Sequence, residues 1–273
     1  MRAAAIGDAG ATSAAPRLEL RGVTSTYREG RARLTALSDL SLAVADREFV
    51  ALVGRSGSGK STLLDIAAGL IEPDAGAVLL DGVRLPASAR LGRSAYMRQR
   101  DLLLPWRTVV GNAGLALEIA GLPRQEAEAR ARARLGEFGL EGRGDAFPAQ
   151  LSGGMRQRVA FLRTILAGHP RLLLDEPFAA LDALTRTELH DWLLALWERE
   201  GQAVLLVTHD VEEAVMLADR AVVLSAAPGR VAHVEEIDLR RPRRRSLVTD
   251  PAFVRHKAAL LDALGLLDRE DRA

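Results

Sequence analysis

Cysteine is absent from the 273 residues, which rules out disulfides and thiolate metal sites and fits a cytoplasmic protein. Long apolar runs are missing too. The longest stretches free of Asp, Glu, Lys and Arg are residues 108–117 and 146–155, whereas a membrane-spanning helix needs about 20 consecutive, mostly apolar residues. The chain is therefore not expected to cross a membrane by itself. Neither sign of charge is in surplus: 37 Lys and Arg face 36 Asp and Glu, a net charge of +1, which gives no whole-chain footprint for nucleic acid. A secretory signal is lacking as well, because "MRAAAIGDAGATSAAP" has no continuous apolar core and Asp8 interrupts it. Residues 1–16 read as a disordered tail.

What is present is an ordinary globular composition, 48% hydrophobic and 27% charged, in a length that suits one domain with a subdomain. "RLELRGVTSTY" and "LSLAVADREFVALVG" read as strands, and "KSTLLDIAAGL" has helical spacing closed by the turn signal "EPDAG". Short strands are expected at "GAVLLDG" and "RSAYMRQ". From Asp101 to about Ala167 the chain turns rich in Ala, Leu, Glu and Arg, with "RQEAEARARARLGEFGL" as its clearest helix. Strands resume at "RLLLDEP", "QAVLLVTHD" and "RAVVLS", separated by helices such as "TRTELHDWLLALWERE". Short apolar runs alternating with helices imply an α/β core with a parallel sheet, interrupted by a helical subdomain. The expected division is core at residues 17–98 and 168–238, helical insertion at 99–167, and a C-terminal tail at 239–273.

"GRSGSGKS", Gly54 to Ser61, matches the phosphate-binding pattern G-x-x-x-x-G-K-[ST], with an apolar strand entering and a helix leaving. Glycines at 54, 57 and 59 let backbone N–H groups surround β- and γ-phosphates. Lys60 supplies a mobile cation, and the Ser61 hydroxyl is a ligand for Mg²⁺. "RLLLDEP" ends a buried strand in Asp175 and Glu176. At the carboxyl edge of a parallel sheet, the first acid can hold Mg²⁺ and the second can orient or deprotonate water. Neighbouring strand residues point to opposite faces, so the two act together only if the strand breaks, and Pro177 makes the break expected. A second small-residue helix start, "LSGGMRQR", can also present N–H groups and a positive dipole end to phosphate. Leu189, Trp192, Leu193, Leu196 and Trp197 form a core-facing helical stripe. His169 and His190 read as surface residues.

In that order, GRSGSGKS, LSGGMRQR and RLLLDEP resemble the ATP-binding cassette (ABC) ATPases, and the resemblance runs from about Leu18 to Val234. It implies a P-loop NTPase (RecA-like) core with a parallel sheet, an antiparallel β edge subdomain and an inserted α-helical subdomain. It also implies ATP and Mg²⁺ as ligands. Tyr27 takes the place of the aromatic that stacks on adenine, and Gly54, Arg55, Ser56, Gly57, Ser58, Gly59, Lys60, Ser61 and Thr62 bind the nucleotide. Gln99 matches the Q-loop glutamine near Mg²⁺ and the attacking water, so Ser61, Gln99 and Asp175 are the expected metal ligands. Asp182 matches the D-loop and His209 the switch histidine, leaving Glu176, His209 and Gln99 as the catalytic set. Because cassettes of this family pair head to tail, Leu151, Ser152, Gly153, Gly154 and Met155 are expected to cap the ATP of a second copy. Met155 departs from the commoner Gln, and a thioether cannot replace an amide's donors.

"LLLPWRTVVGN" resembles the cassettes of binding-protein-dependent importers, and the tail "LRRPRRRSLVTDPAFVRHKAALLDAL" resembles the nitrate/sulfonate/taurine group. The implied partners are a second copy, a separate transmembrane permease and, through it, an extracytoplasmic solute-binding protein, with no nucleic acid. The implied location is the cytoplasmic face of the membrane. The alternative, a soluble ABC-type ATPase uncoupled from transport, would be expected to carry a long coiled coil or a second cassette. The tail arginines 240, 241 and 243–245 read as a solvated linker in preference to a lipid or permease contact.

Overall fold

The computed structural model describes residues 15–30, 32–179 and 181–267; nearly all of the expected N-terminal tail lies outside them. Strands β1 (Leu18–Glu29), β2 (Ala32–Val44), β4 (Ala75–Leu80) and β5 (Val83–Arg84) form an antiparallel sheet in the order β2-β1-β4-β5. The second sheet takes β3 (Phe49–Gly54), β6 (Ala95–Met97), β7 (Arg171–Asp175), β8 (Ala203–Thr208), β9 (Arg220–Leu224) and β10 (Val231–Glu236). Its order is β10-β9-β3-β8-β7-β6, parallel except for the β10 edge.

The central strands are continuous apolar runs because both faces are covered. Phe49, Ala51 and Val53 of β3 enter one core with Leu172 and Leu174, while Val50 and Leu52 enter the other with Leu173 and Leu205. The first core is closed by helices α6 (Gly153–Leu166), α7 (Ala183–Glu200), α8 (Val211–Leu217) and α9 (Pro251–Ala263), and the second by α1 (Lys60–Ala68) and the antiparallel sheet. A short α2 (Ala87–Arg90) follows β5. Between β6 and α6 lie α3 (Val109–Ala113), α4 (Leu115–Ile119) and α5 (Arg124–Ala133).

Three expectations need correction. The helix expected through "RQEAEARARARLGEFGL" ends at Ala133, because Gly136 opens a 3₁₀ turn and Gly139 closes it at φ 60°. His190 is not a surface residue: only 13% of its side chain is exposed, its ring packs edge-on against Phe178 at 4.8 Å, and Nε2 lies 3.2 Å from Glu213. The arginine tail is not wholly a solvated linker. Arg243 is 4% exposed and donates to the carbonyls of Val215, Met216 and Ala218, near the end of α8, and to those of Ile237 and Leu239. Arg241 pairs with Asp219 and covers the Trp197 face at 4.2 Å. The C-terminal carbonyls of a helix lack intrahelical partners, and a five-donor fork satisfies several at once. Burial, with Arg241 nearby, pushes the Arg243 pKa down to about 10. Arg240, Arg244 and Arg245 remain exposed.

Candidate active site

In a parallel sheet all carboxyl ends lie along one edge, so four neighbouring strands deliver their following residues to one cleft. β3 leads into Gly54–Ser61, β8 into His209, β7 into Asp175 and Glu176, and β6 into Gln99. The cleft has a volume of about 450 Å³ and is lined among others by Tyr27, Gly57, Lys60, Thr62, Gln99 and Glu176.

The P-loop closes tightly onto α1. Gly59 is the N-cap at φ 88°, and a Cβ there would stand 2.6 Å from Leu37 Cδ2 and 2.7 Å from the Ala36 carbonyl, so only glycine fits. Lys60 is buried, and its Nζ donates to the carbonyls of Gly54 at 2.7 Å and Arg55 at 3.0 Å. Burial lowers its pKa, opposed by the Glu176 and Asp175 carboxylates. An incoming polyanion would offset that desolvation, since nearby negative charge favours the ammonium form. Tyr27 Oη donates to Thr62 Oγ1 at 3.1 Å, and the residue is 38% exposed at the cleft.

The strand break falls at Glu176 itself, whose φ of 44° is unusual for a residue with a side chain. This left-handed turn, which costs about 1–2 kcal/mol relative to ordinary backbone, allows consecutive acids to serve one cleft. Asp175 Oδ1 accepts from the Ser61 hydroxyl at 3.3 Å, and burial raises its pKa. Glu176 Oε2 accepts from Gln99 Nε2 at 3.2 Å and lies 3.1 Å from His209 Nδ1. The structure thus brings Ser61 to Asp175 and Gln99 to Glu176 and His209. Ser61 and Asp175 offer the hard oxygen donors that suit Mg²⁺, whereas the Gln99 amide is turned to Glu176.

Residues 151–155 do not line this cleft. Ser152 caps α6 by accepting from Met155 N at 3.2 Å, and Gly153 opens onto a separate groove of about 550 Å³ with Gln99, Asp101, Arg156 and Leu181. Gly154 packs so closely on α7 that a Cβ would meet Thr185 Cγ2 at 2.6 Å. The Met155 thioether is half-buried against the first core, so it serves packing where a Gln would serve hydrogen bonding. Asp182 caps α7 by accepting from Leu184 and Thr185 N–H groups, and the second of these bonds above all holds its pKa down.

Sequence reasoning missed the clamp on the Gln99 loop. Arg156 pairs with Asp101 at 3.2 Å, and Arg163 donates to the carbonyls of Asp101 and Leu102. The signal was there: positions seven apart share one helical face. Asn112, fully buried, ties the same loop by donating to the carbonyls of Leu104, Arg107 and Thr108.

A P-loop, strand-end acids and a strand-end histidine on one parallel edge define a P-loop nucleotide triphosphatase. Residues 37–179 match the ABC transporter family. An uncharacterized ABC transporter ATP-binding protein of Methanocaldococcus jannaschii is 44% identical over 91% of this chain and 91% of its own length. The taurine import ATP-binding protein TauB of Pseudomonas putida is 40% identical, with 89% of this chain and 94% of that protein covered. A solved dimeric post-hydrolysis structure of the ATP-binding cassette MJ0796, bound to ADP and Pi, superposes with a TM-score of 0.72 at 32% identity, over 82% of this chain and all of that one. The chain belongs to the ABC transporter family, and it is an ATP-binding, ATP-hydrolysing cassette.

Proposed function

We propose that this cassette powers uptake of a small solute through a separate membrane permease, working as a dimer of two copies at the cytoplasmic face of the membrane. The observation that carries the chemistry is Glu176, held by Gln99 and His209 at the mouth of the cleft that Lys60 floors. In this reading the P-loop N–H groups and Lys60 hold the β- and γ-phosphates of ATP. Glu176 takes a proton from water as the water oxygen bonds to the γ-phosphorus and the bond to the β–γ bridging oxygen breaks, giving ADP and phosphate. Gln99 and His209 orient the Glu176 carboxylate and face the same phosphate. Ser61 and Asp175 would hold Mg²⁺, which when bound neutralises phosphate charge.

The exposed start of α6 supports a shared site, because Ser152 and Gly153 stand outside their own chain's cleft. Residues 99–167 are assigned to permease docking. Trp106 and Ile119 are 72% and 80% exposed on either side of the Arg107–Glu118 ion pair, and such apolar exposure on a rigid polar frame suits a partner helix. No described helix is long and apolar enough to cross a membrane, so the pore belongs to a separate chain in this reading. The name of the taurine relative supports a small anionic or zwitterionic solute delivered by an extracytoplasmic binding protein.

The test is Glu176→Gln. It is expected to keep ATP binding, to accumulate an ATP-dependent dimer in size-exclusion chromatography, and to lose about 100-fold or more in turnover. Wild-type hydrolysis by that variant would remove Glu176 as the base.

A further inference from the structure

We infer that Arg186 is a positioning residue that couples the D-loop to the loop carrying His209, by moving its guanidinium between two sets of acceptors. The inference rests on the shared-site reading above. Arg186 lies one turn into α7. Its Nη2 donates to the Leu181 carbonyl at 3.0 Å, just before Asp182, and its Nη1 reaches Asp210 Oδ2 at 3.4 Å, just after His209. The third donor, Nε, is buried and has no hydrogen-bond partner among the described residues, yet it stands 4.0 Å from Glu213 Oε1.

Glu213 is buried, accepts from the Thr208 hydroxyl and faces His190 Nε2. Thr208 Oγ1 in turn accepts from the Asp210 N–H at 3.0 Å. Both residues flanking His209 are therefore tied to the group Arg186 faces. A buried N–H left unpaired keeps its full desolvation cost, and a shift of about 1 Å would bring Nε into bonding range of Glu213. The guanidinium is a rigid planar fork, so that shift draws Nη1 and Nη2 from Asp210 or Leu181. One fork with two competing acceptor sets has two discrete arrangements, which is what a coupling element requires.

Leu181 also borders the start of α6: a Cβ on Gly153 would stand 3.6 Å from its Cδ2. When the D-loop moves against a partner copy, the Leu181 carbonyl leaves Arg186, Nε engages Glu213, and the Thr208–Asp210 segment carrying His209 is reset.

Steady-state ATPase assays with Arg186→Lys, Asp210→Asn and the double variant test this. Lysine keeps the charge but cannot span three acceptors. Arg186→Lys is expected to lower kcat about tenfold while KM for ATP stays within about threefold, and adding Asp210→Asn is expected to lower it less than about threefold further. A kcat within about twofold of the parent, or fully multiplicative losses, overturns the inference. If Arg186→Lys does not fold by thermal melting, Asp210→Asn alone decides. It keeps an acceptor for the α8 N–H groups, and an unchanged kcat there is equally fatal. The shared-site reading fails separately, if Glu176→Gln forms no dimer with ATP. If that dimer forms and Arg186→Lys turns over normally, only the coupling is wrong.

Discussion

Helices α1 and α6 both start at small residues and both present backbone N–H groups at a loop, but their surroundings differ. The start of α1 is walled in: Gly59 is pressed against Ala36 and Leu37, Lys60 is buried, Glu176 lines the cleft within the same chain, and Asp175 backs it through Ser61. The start of α6 has Ser152 exposed, Gly153 on an open groove, and neither residue in that cleft. The same local device is walled in by its own chain in one place and open in the other, and in the proposed shared site the open one is completed by a second copy. A helix N-terminus attracts anions in either setting, but burial and catalytic neighbours decide which reaction follows.

The comparison breaks most decisively by mixing chains. Lys60→Ala and Ser152→Arg should each lose about 100-fold or more in ATPase rate. A mixture of the two should recover roughly a quarter of the wild-type rate, because half of randomly paired dimers retain one intact composite site of two. No recovery at any ratio would mean that α6 does not serve a neighbour's ATP.

A smaller effect separates the glycines at the two helix starts by chemical denaturation. Gly59→Ala should cost about 3 kcal/mol, combining positive φ with a clash against backbone that no side-chain change relieves. Gly154→Ala should cost about 1–2 kcal/mol, and Thr185→Ser should restore most of it by removing the methyl group in the way. Equal losses without rescue would erase the distinction. Within the α1 cleft, Tyr27→Ala should raise KM for ATP about three- to tenfold with kcat unchanged, the loss of one stacking face. Smallest of all, Met155→Gln should change kcat less than about twofold and cost under about 1 kcal/mol, because its thioether is only half-buried packing.

Much of the α1 region was legible because its signals are local. Glycine spacing, one lysine and one hydroxyl fall within eight residues, and an apolar run followed by two acids marks a strand end. The α6 region was legible as a motif, but its clamp on the Gln99 loop was not, since Arg156 and Arg163 meet Asp101 across 55 and 62 residues. His190 and Arg243 misled for the same reason. A titratable or charged side chain reads as solvated until the fold supplies Glu213 and Phe178 for the one, or five carbonyls for the other. The early end of α5 was within reach, since Gly136 and Gly139 stand in plain view, but alanine-rich helical spacing outweighed them.

By itself the sequence determined the parallel α/β class, the P-loop, the strand-end acids and the order in which the motifs follow one another. Each depends on residues close together in the chain, where steric and periodic rules act without tertiary help. Only the tertiary structure decided that Glu176 turns at φ 44° to meet Gln99 and His209, that Arg186 faces three acceptors with two of its donors engaged, and that the tail arginines cap α8. Those contacts join residues far apart along the chain, and strand order in the sheet, not spacing along the chain, sets which of them become neighbours.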